Sequence, residues 1–234
     1  MNRLLRMLLK NITVFPGVYA KLCRHAKHPE DFPEQERWDH ISYMMGRAVD
    51  AGNVQLQVTG TEHLTGHNGF MLYGNHQGLF DVVALAASCP VPLGCVYKKE
   101  IKSVPLLKQI YASTKSFPMD REDTRQSLEV IRAVTEQVQQ GRNYLIFPEG
   151  TRSRAGNRML PFHAGSFRCA IKAKCPVVPF MIRDSFRVLD EKGSAPVTVT
   201  LQYLPPILPA EFAGMKAAQL AQLVQTQIQA ALDR

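Results

Sequence analysis

Apolar positions recur first at helical spacing and later at strand spacing. At about 100° per residue, Leu4, Leu5, Leu8, Ile12, Phe15, Tyr19 and Leu22 fall on one face of 1–28, and Arg3, Arg6, Lys10, Lys21 and Arg24 gather opposite. This predicts an amphipathic helix, kinked or split at Pro16-Gly17. Trp38, Ile41, Met45, Ala48 and Val49 predict a second one over 34–51. From residue 53 the rhythm changes. Val54, Leu56 and Val58 alternate as in a half-buried strand, and 69–74 is a short apolar strand ending at Asn75-His76. The pattern then predicts a helix over 79–88, a strand over 93–97, a short helix over 104–112 and a strand over 116–119. A long helix over 122–140 turns Leu128, Ile131, Val134 and Val138 inward and is closed by Gly141. A strand over 143–147 runs into Pro148-Glu149-Gly150. It is followed by a helix over 162–174, strands over 177–182 and 197–204, and a terminal amphipathic helix over 212–232.

Strands separated by helices of roughly ten to twenty residues imply an α/β fold. Its sheet is expected to be mixed but largely parallel, with helices on both faces. No repeat or low-complexity linker interrupts the pattern, so 53–234 reads as one α/β domain and 1–52 as a helical N-terminal extension. Composition agrees, since 45% hydrophobic and 21% charged residues exclude wholesale disorder. Five cysteines are too few, and odd in number, for a disulfide framework, which fits a reducing compartment.

Charge changes the picture. The chain carries 28 Lys plus Arg against 20 Asp plus Glu. Residues 1–28 hold six of the basic residues and no acidic one, leaving 22 against 20 for the remainder, so the excess belongs to the arm. No apolar run reaches the roughly 20 residues needed to span a bilayer; the best stretch, 82–97, contains Pro90 and Pro92. Arg6 and Lys10 interrupt the apolar region of 1–20 and argue against a cleaved leader. A basic amphipathic helix suits an interface rich in anionic lipid, and the interleaved Leu, Ile and Val speak against nucleic acid as partner. A helix packed on its own domain with a solvated basic face is the alternative.

Two constellations carry chemistry. In Asn75-His76-Gln77-Gly78-Leu79-Phe80-Asp81 a histidine sits at a strand end and a carboxylate follows where a helix begins. If the loop folds back, Asp81 accepts the His76 Nδ1–H, fixes the tautomer and leaves Nε2 to take a proton. Spacing alone leaves a purely structural histidine open. In Phe147-Pro148-Glu149-Gly150-Thr151-Arg152, a glycine turn beside an arginine suits a phosphate or carboxylate, and Asp120-Arg121 brings a second arginine toward the same edge. Solvated surface turns are the alternative there. No Gly-x-Ser-x-Gly elbow occurs, and the cysteines lack metal-binding spacing; Cys23-x-His25-x-x-His28 is a weak match, so no metal is expected. A base without a protein nucleophile suggests a substrate that supplies its own.

Together these blocks resemble the glycerolipid acyltransferases, particularly the 1-acylglycerol-3-phosphate acyltransferases. Asn75-His76 to Asp81 resembles the first family block, Phe117-Pro118-Met119-Asp120-Arg121 the second, 147–152 the third and Cys175-Pro176-Val177-Val178-Pro179 the fourth. Tyr97-Lys98-Lys99-Glu100 and Leu160-Pro161-Phe162-x-x-Gly165 are also family-like, and Gly78 stands where serine is common. The resemblance covers about 53–208.

It implies that His76, oriented by Asp81, deprotonates the free hydroxyl of 1-acylglycerol-3-phosphate, which attacks an acyl thioester to give phosphatidic acid. Arg121, Arg152 and the Gly150-Thr151 turn would hold the acceptor's phosphate, Glu149 would position these donors, and Lys98 or Lys99 would meet the donor's phosphates. Acyl-CoA or acyl-carrier protein would be the co-substrate, with no cofactor. The enzyme would sit peripherally or monotopically on the cytoplasmic face of the membrane. Rival readings are another lysolipid or glycerol 3-phosphate as acceptor, a non-catalytic membrane- or anion-binding protein, and a lipid hydrolase, which the missing nucleophile disfavours.

Overall fold

A computed structural model describes residues 3–66 and 68–234. It opens with helices α1 (Arg3–Asn11), α2 (Phe15–Lys27) and α3 (Glu34–Ala51). The break between α1 and α2 falls at 12–14, upstream of the expected Pro16-Gly17. Pro16 occupies the first turn of α2, where its missing N–H removes no helical hydrogen bond.

The two-faced reading of the arm needs correction. Arg3, expected on the solvated basic face, is 3% exposed; its guanidinium donates to the carbonyls of Arg187 (3.0 Å), Val188 (2.9 Å) and Ala195. The apolar face expected of the arm stands uncovered on α1, which turns Met7 to the core. Leu4, Leu5, Leu8, Leu9 and Ile12 stay 47–63% exposed, while Leu22 of α2 is fully buried.

The remainder is β1 (Val54–Thr59), β2 (Met71–Gly74), α4 (Asp81–Ser88), β3 (Gly94–Lys98), α5 (Leu107–Ser113), β4 (Phe117–Met119), α6 (Thr124–Gln139), β5 (Tyr144–Ile146), α7 (Arg168–Ala173), β6 (Val177–Arg183), α8 (Phe186–Leu189), β7 (Val197–Tyr203) and α9 (Ala217–Leu232). Three predicted helices begin at least three residues later than expected. Leu106 at φ 71° delays α5, and Gly214 at φ 79° separates 212–215 from α9. The stretch 162–174 resolves into a 3₁₀ turn, Ala164–Phe167, followed by α7. Asp123 caps α6 as an N-cap aspartate should, accepting from the Arg125 and Gln126 amides at 2.9 and 3.0 Å.

Seven strands form one sheet in the order β1-β7-β6-β2-β5-β3-β4. The five from β6 to β4 are mutually parallel, β6 meets β7 antiparallel, and β7 pairs parallel with β1. Strand alternation builds two cores. Leu72, Val178, Phe180, Ile182, Val199 and Leu201 face Trp38 and Ile41 of α3 and Ala84 and Leu85 of α4. Met71, Tyr73, Tyr144, Ile146 and Val177 face Val134 and Val138 of α6 and Leu220, Val224 and Ile228 of α9. Each large side chain fully buried this way contributes about 1.5–3 kcal/mol. Because five strands run the same way, their carboxyl ends share one edge, where open parallel sheets gather their ligands.

Candidate active site

Asn75, immediately after β2, is locked to β6: its side-chain amide donates to the Ile182 carbonyl and accepts from the Ile182 amide, both at 2.8 Å. His76 thereby leaves the sheet at a fixed point. Its backbone is then clamped by the loop after β5. The His76 amide donates to Glu149 Oε1 at 2.7 Å, and its carbonyl accepts from the Ser153 amide at 2.8 Å. Phe147 stacks under the imidazole with centroids 4.0 Å apart and planes at 18°.

The loop 77–80 folds back as expected. His76 Nδ1 lies 2.6 Å from Asp81 Oδ2, and since a carboxylate only accepts, Nδ1 is the donor of that bond. Oδ2 also accepts the Gln77 amide at 2.6 Å and the Gly78 amide at 3.1 Å. Oδ1 accepts the hydroxyl of Ser185. Asp81 is fully buried, whereas His76 keeps 19% of its side chain open to the cleft. A buried carboxylate with this many donors is held rotationally fixed.

A cavity of about 1330 Å³ runs past the imidazole. His76, Arg121, Glu149, Gly150, Thr151 and Arg152 all line it, and Asp81 stands behind His76. Lys98 lines it too, whereas Lys99 does not; Lys99 is paired with Asp120 outside. Its lining combines basic side chains, among them Arg121, Arg152, Arg154 and Arg168, with apolar ones such as Leu8, Ile12, Phe15, Met44, Met45 and Val83.

The loop residues divide by role. Gly150 adopts φ 71°, and a Cβ there would lie 3.1 Å from the His163 ring, so two constraints favour glycine. Glu149 is 2% exposed, and both its oxygens are occupied by backbone: Oε1 by the His76 amide and Oε2 by the Leu160 amide at 2.9 Å. Burial pushes its carboxyl pKa up, opposed by those two amides. Its carboxylate thus orders the base's backbone rather than reaching into the cleft. Arg152 pairs with Asp190, Nη1 to Oδ1, at 3.2 Å.

Ser185 and Asp190 carry no motif and escaped the sequence reading. Both follow β6, whose carboxyl end lies beside that of β2, so strand order would have pointed to them. Thiol chemistry has little support here. Burial pushes Cys89 and Cys175 up to about 12 and Cys95 and Cys169 up to about 11, far from the thiolate range of a nucleophile. Among the described residues no group of three or more His, Cys, Asp or Glu is placed to hold a metal ion.

Residues 55–183 match the acyltransferase family model. The 1-acyl-sn-glycerol-3-phosphate acyltransferase of Salmonella typhimurium is 26% identical over 212 residues, spanning 90% of this chain and 82% of that protein. The enzyme of the same name from Limnanthes douglasii is 32% identical over 161 residues, spanning 66% of this chain and 55% of that one. In fold, the chain is similar to the crystal structure of the 1-acyl-sn-glycerophosphate (LPA) acyltransferase from Thermotoga maritima. The TM-score is 0.77 at 22% identity, over 99% of this chain and 96% of that chain.

Proposed function

The chain belongs to the acyltransferase family, and from that premise we propose that it moves a fatty acyl group from an acyl thioester to the free hydroxyl of 1-acylglycerol-3-phosphate, giving phosphatidic acid. The observation that carries the reading is the 2.6 Å His76–Asp81 pair on a cavity lined by both guanidinium and apolar side chains.

In this mechanism Nε2 takes the hydroxyl proton as the oxygen attacks the thioester carbonyl. The new C–O bond forms, the tetrahedral centre collapses with loss of the C–S bond, and the imidazolium returns its proton to the departing sulfur. No acyl-enzyme is needed. General-base help of this kind contributes about 10²–10⁴ in rate. Asp81 stabilises the imidazolium that forms and holds the ring against rotation.

Arg121 and Arg152 are the anion-binding groups of the reading, assisted by the Gly150-Thr151 turn, and they set the distance from acceptor hydroxyl to Nε2. A phosphate dianion among several guanidiniums and an acyl chain along Leu8, Ile12 and Met45 together use both kinds of lining side chain. The donor, acyl-CoA or acyl-carrier protein, would reach the thioester position with its own phosphates beside Lys98.

Membrane docking follows from the same geometry. Leu4, Leu8 and Leu9, exposed on α1, border the cavity that holds His76, so a lipid substrate would pass from an anionic surface to His76 beside the arm. We place that surface on the cytoplasmic side, where acyl thioesters are made.

Purified protein offered 1-acylglycerol-3-phosphate, other lysophospholipids and glycerol 3-phosphate, each with acyl-CoA and acyl-carrier protein, tests the reading. The expected result is preference for 1-acylglycerol-3-phosphate and a loss of at least a hundredfold in His76→Ala with vesicle binding retained. Equal turnover in wild type and His76→Ala overturns the general-base role. Preference for another acceptor reassigns the substrate.

A further inference from the structure

We propose that Ser185 is a positioning residue for the acyl transfer, acting through Asp81 on the base; this rests on the reading of His76 as general base. Catalytic carboxylates of this kind have two oxygens, and both must be satisfied if the group is to stay ionised and immobile in a dry setting. Asp81 is fully buried. Its Oδ2 is crowded by the His76 ring and two backbone amides, all supplied by the strand-end loop itself. Its Oδ1 is met from across the sheet edge, by the hydroxyl of Ser185, a residue 104 positions further along the chain.

Ser185 is itself fully buried and tightly placed. It precedes α8, following Asp184, which takes the left-handed conformation at φ 62°. The Ser185 amide donates to Gln77 Oε1 at 3.2 Å, and the Gln77 side-chain amide donates to Asn157 Oδ1 at 2.7 Å. Asn157 Oδ1 in turn accepts the Asp184 amide at 2.9 Å, and Asn157 Nδ2 donates to Asp184 Oδ1 at 3.1 Å. Gln77, next to the base, thus fixes the turn that delivers the serine hydroxyl. Side chains from the 77 and 157 loops thus hold the turn whose serine meets Asp81 Oδ1.

Physical consequences follow from the chemistry of that bond. A hydroxyl donated to the charged form makes the carboxylate less basic and stops its rotation about the Cβ–Cγ axis. With the hydroxyl gone, Oδ1 is a buried acceptor without its donor, the carboxylate becomes more basic, and its grip on an imidazolium tightens. The acidic limb of the pH–rate profile therefore moves to higher pH. The carboxylate, still held at Oδ2 by the Gln77 and Gly78 amides, shifts in its seat without the Oδ1 bond and mis-aims the imidazole, which lowers turnover without touching acceptor binding, because Ser185 does not line the cavity.

The test uses the full chain with 1-acylglycerol-3-phosphate vesicles and an acyl thioester, comparing wild type, Ser185→Ala, Ser185→Cys and His76→Ala. Thermal melting confirms that each variant is folded. Cysteine keeps the volume of serine but is a weak donor, so it serves in place of alanine if the latter does not fold. Expected results for both Ser185 variants are a fall in kcat of about tenfold, the size of losing one donor to a buried charged group. KM should stay within twofold, and the acidic limb should shift upward. Wild-type kcat and an unmoved limb in folded Ser185→Cys overturn the proposal, and so does a rise in KM at constant kcat. In either case an inactive His76→Ala leaves the general-base reading standing. An active His76→Ala sinks that reading, and with it the role of Ser185.

Discussion

Glu149 accepts the backbone amide of His76 at 2.7 Å although the two residues lie 73 positions apart. The loop after β5 therefore serves the base directly, in addition to whatever its arginine does for substrate. Replacing Glu149 by Ala strands the amides of His76 and Leu160 without acceptors in a buried setting. Each such loss is worth about 1–3 kcal/mol, so Glu149→Ala should lower Tm by several degrees, at about 2–4 °C per kcal/mol. Turnover should fall with it, as the imidazole loses its anchor. Calorimetry and steady-state kinetics on the same preparation check both. An unchanged Tm would show that the loop holds itself without this carboxylate.

If Arg152 binds the acceptor as proposed, Asp190 and the incoming phosphate compete for it, because the phosphate must share or displace the carboxylate already 3.2 Å from the guanidinium. Both side chains are partly solvated, so the pair contributes at most about 1 kcal/mol. Asp190→Asn should consequently lower KM for 1-acylglycerol-3-phosphate about two- to fivefold with kcat little changed. A raised KM would mean instead that Asp190 orients Arg152 for the phosphate.

His25 gives the arm a pH dependence. The ring is fully buried between α2 and α3 against Phe32 and His40, with Nε2 3.6 Å from Glu36 Oε1. Burial lowers its pKa, reinforced by His40 and Lys21 and opposed by Glu36. The folded state thus binds fewer protons than the unfolded state, for which histidine titrates near 6.5, so stability is intact above about pH 6.5 and declines as pH falls below it. Melting temperature followed from pH 8 to about pH 5 should show this decline in wild type and a flatter curve in His25→Phe. Identical slopes would remove His25 as the cause.

Exposed leucines and basic residues on α1 should together govern membrane affinity. Deleting 1–28 would also remove Leu22 and Met7 from the core, so point substitutions are the cleaner probe. Arg6→Gln with Lys10→Gln should weaken sedimentation with anionic vesicles about tenfold or more at low salt, from about 1 kcal/mol per charge, with the difference shrinking as salt rises. Leu5→Ser with Leu9→Ser should weaken binding to neutral and anionic vesicles alike. Unchanged binding in both pairs would place the docking surface elsewhere.

Much of this molecule is legible in the residue pattern. The strand positions read from Val54, Leu56 and Val58 and from the apolar segments before His76 and Pro148 stand, because burial on a pleated surface leaves a period in the sequence. Helix ends moved wherever a single residue took a left-handed conformation, as at Leu106 and Gly214, which periodicity does not register. The His76–Asp81 contact was visible because a loop of four residues, 77–80, suffices to bring the two together. Ser185, Asp190 and the carbonyls that hold Arg3 were not, since each depends on strands far apart in sequence becoming neighbours. Arg3 misled for a further reason: helical-wheel reasoning places every guanidinium in water, whereas five donors also suit a cluster of unpaired carbonyls.

The pairing of Val54–Thr59 with Val197–Tyr203 has an outcome in time as well as space. Val54 of β1 meets Val197, and the carbonyls that capture Arg3 lie 184, 185 and 192 positions downstream of it. Contacts between such distant segments form slowly, so the outer edge of the sheet and the Arg3 latch are expected to close late in folding, after α1 has packed on α3.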